Sequence, residues 1–127
     1  MKRPTFALTV LASLFACTHA FAQAYPVKPV RVIVPFPPGG GVDTQARTFA
    51  QKYTEAWGQS VVVDNRPGAG GNIGADAVAK AQPDGYTLLL TTTGHAVAPS
   101  LYKKLPFDPI KDFAPASQQR SEERRVG

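Results

Sequence analysis

Pro35-Phe-Pro-Pro-Gly-Gly-Gly-Val-Asp43 lies between a short apolar run, Val30-Arg-Val-Ile-Val34, and a stretch from Val42 to Trp57 with helical spacing. The run is rich in β-branched residues and reads as a buried strand. In the following stretch Ala46, Phe49, Ala50, Tyr53 and Trp57 recur at i, i+3, i+4, i+7 and i+11, which puts them on one helix face as candidate core. A strand that turns through glycines into a helix leaves orphan N–H groups at the positive end of the helix dipole. Such a crevice binds anions. The loop carries no lysine and no Ser or Thr after its glycines, so it is not a phosphate-cradling nucleotide loop. It reads as one wall of a site for a small carboxylate; the plainer alternative is a tight turn punctuated by Pro and Gly.

The pattern then repeats along the chain. Gly58 ends the helix, and Ser60-Val-Val-Val-Asp64 reads as a second buried strand. Asn65-Arg-Pro-Gly-Ala-Gly-Gly-Asn72 is a second glycine-rich loop, leading to a helix over about Ile73 to Ala81. Gln82-Pro-Asp-Gly85 is a turn by composition, Tyr86 to Thr92 a third strand, and Thr93-Gly-His95 a third loop. Strands alternating with helices imply an α/β fold with a parallel sheet and right-handed crossovers. Ligands of such sheets bind at the carboxyl ends of the strands. The loops over 35–43, 65–72 and 92–95 all fall at that end.

Both termini read differently from the middle. Lys2 and Arg3 precede an apolar core from Phe6 to Ala16, and Ala20-Phe-Ala22 is a small-x-small cleavage site. Residues 1–22 therefore read as a secretory signal peptide, with the mature chain starting at Gln23 in the periplasm. The apolar run falls short of the about 20 residues that a membrane-spanning helix needs. A weaker alternative is lipoprotein processing at Cys17, which the bulky Phe15 disfavours. Cleavage after Ala22 removes that one cysteine, which leaves no disulfide and no thiol chemistry. At the other end, Arg120-Ser-Glu-Glu-Arg-Arg-Val-Gly127 abandons the preceding pattern and matches a translated sequencing-adapter frame. It reads as a non-native tail over 120–127, with the natural sequence lost after Gln119.

The formal net charge of +5 leans on those two ends. Between residues 23 and 119 nine basic side chains face seven acidic ones, scattered without a stripe or interleaved aromatics. That balance argues against nucleic acid as a partner.

Among single residues, His95 has no second histidine or cysteine in the mature chain to complete a metal site, so it reads as a polar loop histidine. Asp43 suits the first turn of a helix, and no partner acid or nucleophile marks it as a general base. Asn72 is a ligand contact, a helix N-cap, or both. Arg66 reads as a surface or packing residue before a carboxylate partner. Phe49 and Trp57 read as core, and Tyr102 and Phe107 as packing residues. A dinucleotide-binding enzyme is disfavoured because Gly68-x-Gly70 is followed by Ile73, not by the third glycine of Gly-x-Gly-x-x-Gly. A serine hydrolase is disfavoured because no serine sits in Gly-x-Ser-x-Gly.

Four ordered stretches carry a family resemblance: Tyr25 to Asp43, Val63 to Gly74 (Val-Asp-Asn-Arg-Pro-Gly-Ala-Gly-Gly-Asn-Ile-Gly), Pro83-Asp-Gly-Tyr86, and Leu105 to Pro115. Together they resemble the receptors of tripartite tricarboxylate transporters, the Bug-type periplasmic solute-binding proteins. The resemblance implies a periplasmic binding protein-like fold of type II, of which residues 23–119 would form part of the N-terminal lobe. It implies no enzyme activity, no cofactor and no metal. The implied ligand is a small carboxylate (a di- or tricarboxylate, an amino acid or an aromatic acid), passed on to a membrane permease. The matching loop positions are Phe36, Pro38, Gly39, Gly40 and Asp43 in the first loop, Gly70, Gly71, Asn72 and Ile73 in the second, and, more loosely, Thr92, Thr93 and His95 in the third. The second lobe is missing, so the 23–127 chain alone is expected to bind weakly or undetectably and to expose a sheet edge.

Overall fold

The computed structural model describes residues 24–117. The expected leader over 1–22, Cys17 within it, and the charged tail over 120–127 lie outside the described residues. Among the described residues three strands and three helices alternate: β1 (Val30–Val34), α1 (Gly41–Trp57), β2 (Val61–Asn65), a 3-10 turn (Ala69–Gly71), α2 (Asn72–Ala79), β3 (Thr87–Leu89) and α3 (Gly94–Leu101). The sheet is parallel throughout, as the alternation predicts, with order β2-β1-β3. Val34 pairs with Asn65 and Ile33 with Leu89, so the three strands end level with one another. The chain moves from β1 to β2 on one side and then crosses back to β3 on the other. Right-handed crossovers in opposite directions put α1 and α2 on opposite faces of the sheet.

Val30, Ile33 and Val34 of the central strand are almost fully buried, together with Ala46 and Ala50 of α1 and Ala75 of α2. Small residues on the contact stripes let both helices approach the sheet closely. That corrects the expectation for Phe49 and Trp57, which are half-buried, while Tyr53 is 46% exposed. The face of α1 that meets the sheet is centred on Asp43, Ala46 and Ala50. The larger rings therefore fall on its flank, where Tyr53 stacks on Trp57 at 4.5 Å and Trp57 meets Tyr25 edge-on at 5.9 Å.

Two strands differ from their expected form. β2 is half-buried rather than buried, with Val62 half exposed, because it forms an edge of the sheet. β3 is shorter than Tyr86–Thr92. Its partner strand stops at Val34, and Pro35 has no N–H with which to carry the ladder on. One further bond, from the Leu90 N–H to the Ile33 carbonyl at 3.0 Å, ends the pairing.

The third loop is also revised. His95 sits in the first turn of α3, a helix that the reading of 93–95 as loop did not anticipate. Pro99 inside that helix removes one backbone donor and masks the helical signal in the sequence. Before β1, the chain is fastened to the turn ahead of β3. Tyr25 donates its hydroxyl to the Gly85 carbonyl at 2.6 Å, and Lys28 pairs with Asp84 at 2.9 Å.

Candidate functional site

The level carboxyl ends of the strands open into a cleft of about 170 Å³. Phe36 of the β1–α1 loop forms one wall, and Gly70, Gly71 and Asn72 form another where the 3-10 turn runs into α2. Thr91 and Thr92, with Gly94 and His95 at the start of α3, complete it. Two helix N-termini thus reach the same space, where the His95 and Ala96 N–H groups donate to the Thr92 and Thr93 carbonyls at 3.0 and 3.1 Å, the Gly94 N–H to Thr92 Oγ1 at 3.4 Å, and the Asn72 N–H to the Ala69 carbonyl. Among the described residues, none that lines it is a lysine or an arginine.

Close packing fixes the walls relative to one another. Gly74, in α2, rests on Pro35 and the Arg66 carbonyl with no room for a side chain. Gly70 has φ of +66°, and the Tyr102 hydroxyl occupies the place that its Cβ would take. Tyr102, just past the end of α3, therefore ties the third wall to the second. Asn72 is the first residue of α2 and makes no side-chain cap; Gly71 is the N-cap. Its side chain is left to line the cleft.

His95 lies in an aromatic cluster. Its ring stacks on Phe107 at 5.7 Å with only 7° between the planes, and Phe113 meets it edge-on at 4.8 Å. Phe107 is buried, which bears out its packing role; Tyr102 is 38% exposed. Burial pushes the His95 imidazole below its ordinary value, against a smaller opposing pull from the Pro109 carbonyl. A neutral ring at pH 7 follows.

Asp43 is 2% exposed, and its carboxylate faces inward. Oδ2 accepts from the Gly39 N–H at 2.8 Å and from Arg47 Nε at 3.0 Å, and Oδ1 accepts from Asn65 Nδ2 at 2.9 Å. The Arg47 guanidinium, then the Gly39 amide and the Asn65 amide, hold its carboxyl down at about 2. Arg66 is an exposed residue paired with Asp64 at 3.1 Å.

Of the residues expected at the site, the cleft gathers Phe36, Gly70, Gly71, Asn72, Thr92 and His95. Pro38, Gly39, Gly40, Asp43, Ile73 and Thr93 lie outside its lining; Ile73 is 55% exposed, with its side chain over Gly68. Thr91 and Gly94 join the lining without having been singled out, although both flank residues that were. Among the described residues, no three His, Cys, Asp or Glu side chains gather into a metal-holding group.

Comparison with known proteins converges on one group. The family described as "Tripartite tricarboxylate transporter family receptor" matches residues 45–122. Protein BugT of Bordetella pertussis is 49% identical over 98 residues, covering 76% of this chain and 30% of BugT. Among solved structures, the periplasmic binding protein BugD superposes with a TM-score of 0.68 at 48% identity, over 72% of this chain and 30% of BugD. Rhodopseudomonas palustris supplies two more. MatC with bound malate has a TM-score of 0.62 at 46% identity, over 72% of this chain and 31% of its own. Rpa4515 with adipate has a TM-score of 0.64 at 44% identity, over 67% and 29%. The chain spans about a third of the length of the curated relatives it matches.

Proposed function

The chain belongs to the tripartite tricarboxylate transporter receptor family, and on that premise we propose that it supplies part of a periplasmic solute-binding receptor for a small carboxylate. The observation that carries this reading is the convergence of the α2 and α3 N-termini on one cleft, lined among the described residues by no lysine or arginine. The positive ends of the α2 and α3 dipoles stabilise a carboxylate there through their field, since the Asn72, Gly94 and His95 N–H groups already donate to acceptors in the preceding loops. The Thr92 hydroxyl and the Asn72 amide add donors that orient it. Phe36 and the His95 ring offer apolar faces to the carbon skeleton. Thr93 and Ile73 lie beside these contacts, while Pro38, Gly39, Gly40 and Asp43 shape the first loop.

Two structural relatives hold malate and adipate, each a dicarboxylate. We extend that class to this site, with one carboxylate held here and the rest of the ligand reaching toward a second lobe that closes by hinge motion. Residues 1–22 act as the export signal in this reading, and a membrane permease takes the ligand from the closed receptor. Within the family the domain acts by binding and release, with no bond made or broken.

The test is titration of the ¹⁵N-labelled chain with malate, adipate and, separately, NAD. Malate and adipate are expected to move the amide resonances of residues 70–73 and 92–95, with an affinity on the order of millimolar because only part of the cleft is available. NAD is expected to move none of them. Unmoved amides at saturating malate and adipate would sink the proposal.

A further inference from the structure

The β1–α1 loop is held by a ring of three side chains from two elements. Asp43 and Arg47 come from α1, one turn apart, and Asn65 from the end of β2. Asp43 takes the Gly39 N–H on Oδ2 and the Asn65 amide on Oδ1. The same Asn65 nitrogen donates to the Phe36 carbonyl at 3.1 Å, while its Oδ1 accepts from Arg47 Nη2 at 3.2 Å. The loop is thereby fastened at both ends, at Phe36 and at Gly39, the latter in a left-handed conformation with φ of +85°. Phe36 is the residue of this loop that lines the cleft.

Asn65 does not need its side chain to hold its own strand. The β2 backbone is paired with β1 along its length, and the Arg66 N–H continues the ladder to the Val34 carbonyl at 2.8 Å. The Asn65 side chain is directed entirely at the first loop and at the two residues that grip it. Charge-assisted bonds to a buried carboxylate are among the stronger hydrogen bonds available, so this ring is well suited to stiffen a loop of prolines and glycines.

We propose that Asp43 and Asn65 are positioning residues that fix Phe36 in the cleft wall before ligand arrives. The inference rests on the carboxylate-receptor reading for its purpose, but the rigid loop is measurable without any ligand. A preset wall improves binding by removing the ordering cost that a slack loop would impose.

The experiment is amide hydrogen exchange by NMR on the full 127-residue chain, comparing wild type with Asn65→Ala, Asn65→Asp and Asp43→Asn. Asn65→Asp keeps the shape but turns a carboxylate toward Asp43, so it should fail as badly as Ala. Exchange at Gly39 and its loop neighbours is expected to rise by about tenfold or more, while Val32 and Ile33 in β1 change by less than about twofold. The Gly39 amide proton should also move upfield as its charge-assisted bond is lost. Equal loss of protection in loop and strand overturns the proposal, as does an unchanged loop or the unfolding of all three variants. Malate titration of the same proteins separates the two readings. A weaker malate response in the loosened variants supports positioning, and a wild-type response that loosening leaves unchanged overturns it. Loosening of the loop with no malate response even in wild type supports the ring as the loop's fastening and overturns the receptor reading instead.

Discussion

Gly74 in α2 and Pro35 at the end of β1 meet so closely that a Cβ on Gly74 would lie 2.8 Å from the Pro35 Cβ, 3.1 Å from its Cα and 3.0 Å from the Arg66 carbonyl. This contact seats the N-terminus of α2 over the central strand and brings Asn72 to the cleft. It also explains the glycine at 74 in the first turn of α2, a residue that a helix does not otherwise favour.

Gly74→Ala sets two effects against each other. Alanine gains about 1 kcal/mol of helix propensity. Overpacking against backbone and ring atoms that cannot swing away costs about 1–3 kcal/mol. The clash is expected to win, so urea unfolding should show a lower midpoint at an unchanged slope. A higher midpoint would mean that α2 can lift off Pro35.

Asp43 gives a pH dependence with a definite sign. Its folded value of about 2 lies below the ordinary 3.8, so the unfolded chain binds the proton more readily. Its contribution is fully present above pH 4 and is lost as pH falls from about 4 toward 2. Unfolding midpoints should drop across that window in wild type. Asp43→Asn should start lower at neutral pH and fall less steeply, since other carboxylates such as Asp84 and Asp108 titrate in both proteins. Equal steepness in the two proteins would remove Asp43 from the acid response.

The architecture was legible from residue types alone because each link in it is local. Val30–Val34 followed by glycines and a 3.6-period helix admits few topologies, and a parallel α/β sheet is what the chain builds. What stayed hidden depends on distance. Asn65 read as the first residue of a loop, and nothing local reveals that its amide reaches across to Phe36 and Asp43, 29 and 22 residues away. Periodicity gives a helix face but not its centre, so Phe49 and Trp57 read as core while Asp43 and the alanines at 46 and 50 hold that centre. The α3 helix is hidden in the sequence because Pro99 breaks the local pattern, while the Tyr102 N–H still closes its last turn on the Ala98 carbonyl.

His95 supplies a second titration. Its ring is neutral when folded and sits below its ordinary 6.5, so the unfolded state again binds the proton more readily. Stability should be full above pH 6.5 and decline as pH falls through the lowered folded value. The His95 ring resonances should show a midpoint below 6.5. His95→Phe preserves stacking on Phe107 and should abolish the slope of midpoint against pH between about 7 and 5. Persistence of that slope would assign it to another group.

Tyr102 and Gly70 offer a test by coupling. Gly70→Ala meets two separate penalties: a left-handed φ of +66°, and a collision with the Tyr102 hydroxyl. The first costs an L-residue about 1 kcal/mol or more whatever surrounds it. The second exists only while the Tyr102 ring is in place. Tyr102→Ala should therefore remove the steric part and leave the backbone part. The double variant should be more stable than the sum of the two single losses predicts, by an interaction of about 0.5–3 kcal/mol. Strict additivity would show that the tyrosine swings aside freely, and that α3 does not brace the Gly70–Asn72 wall of the cleft.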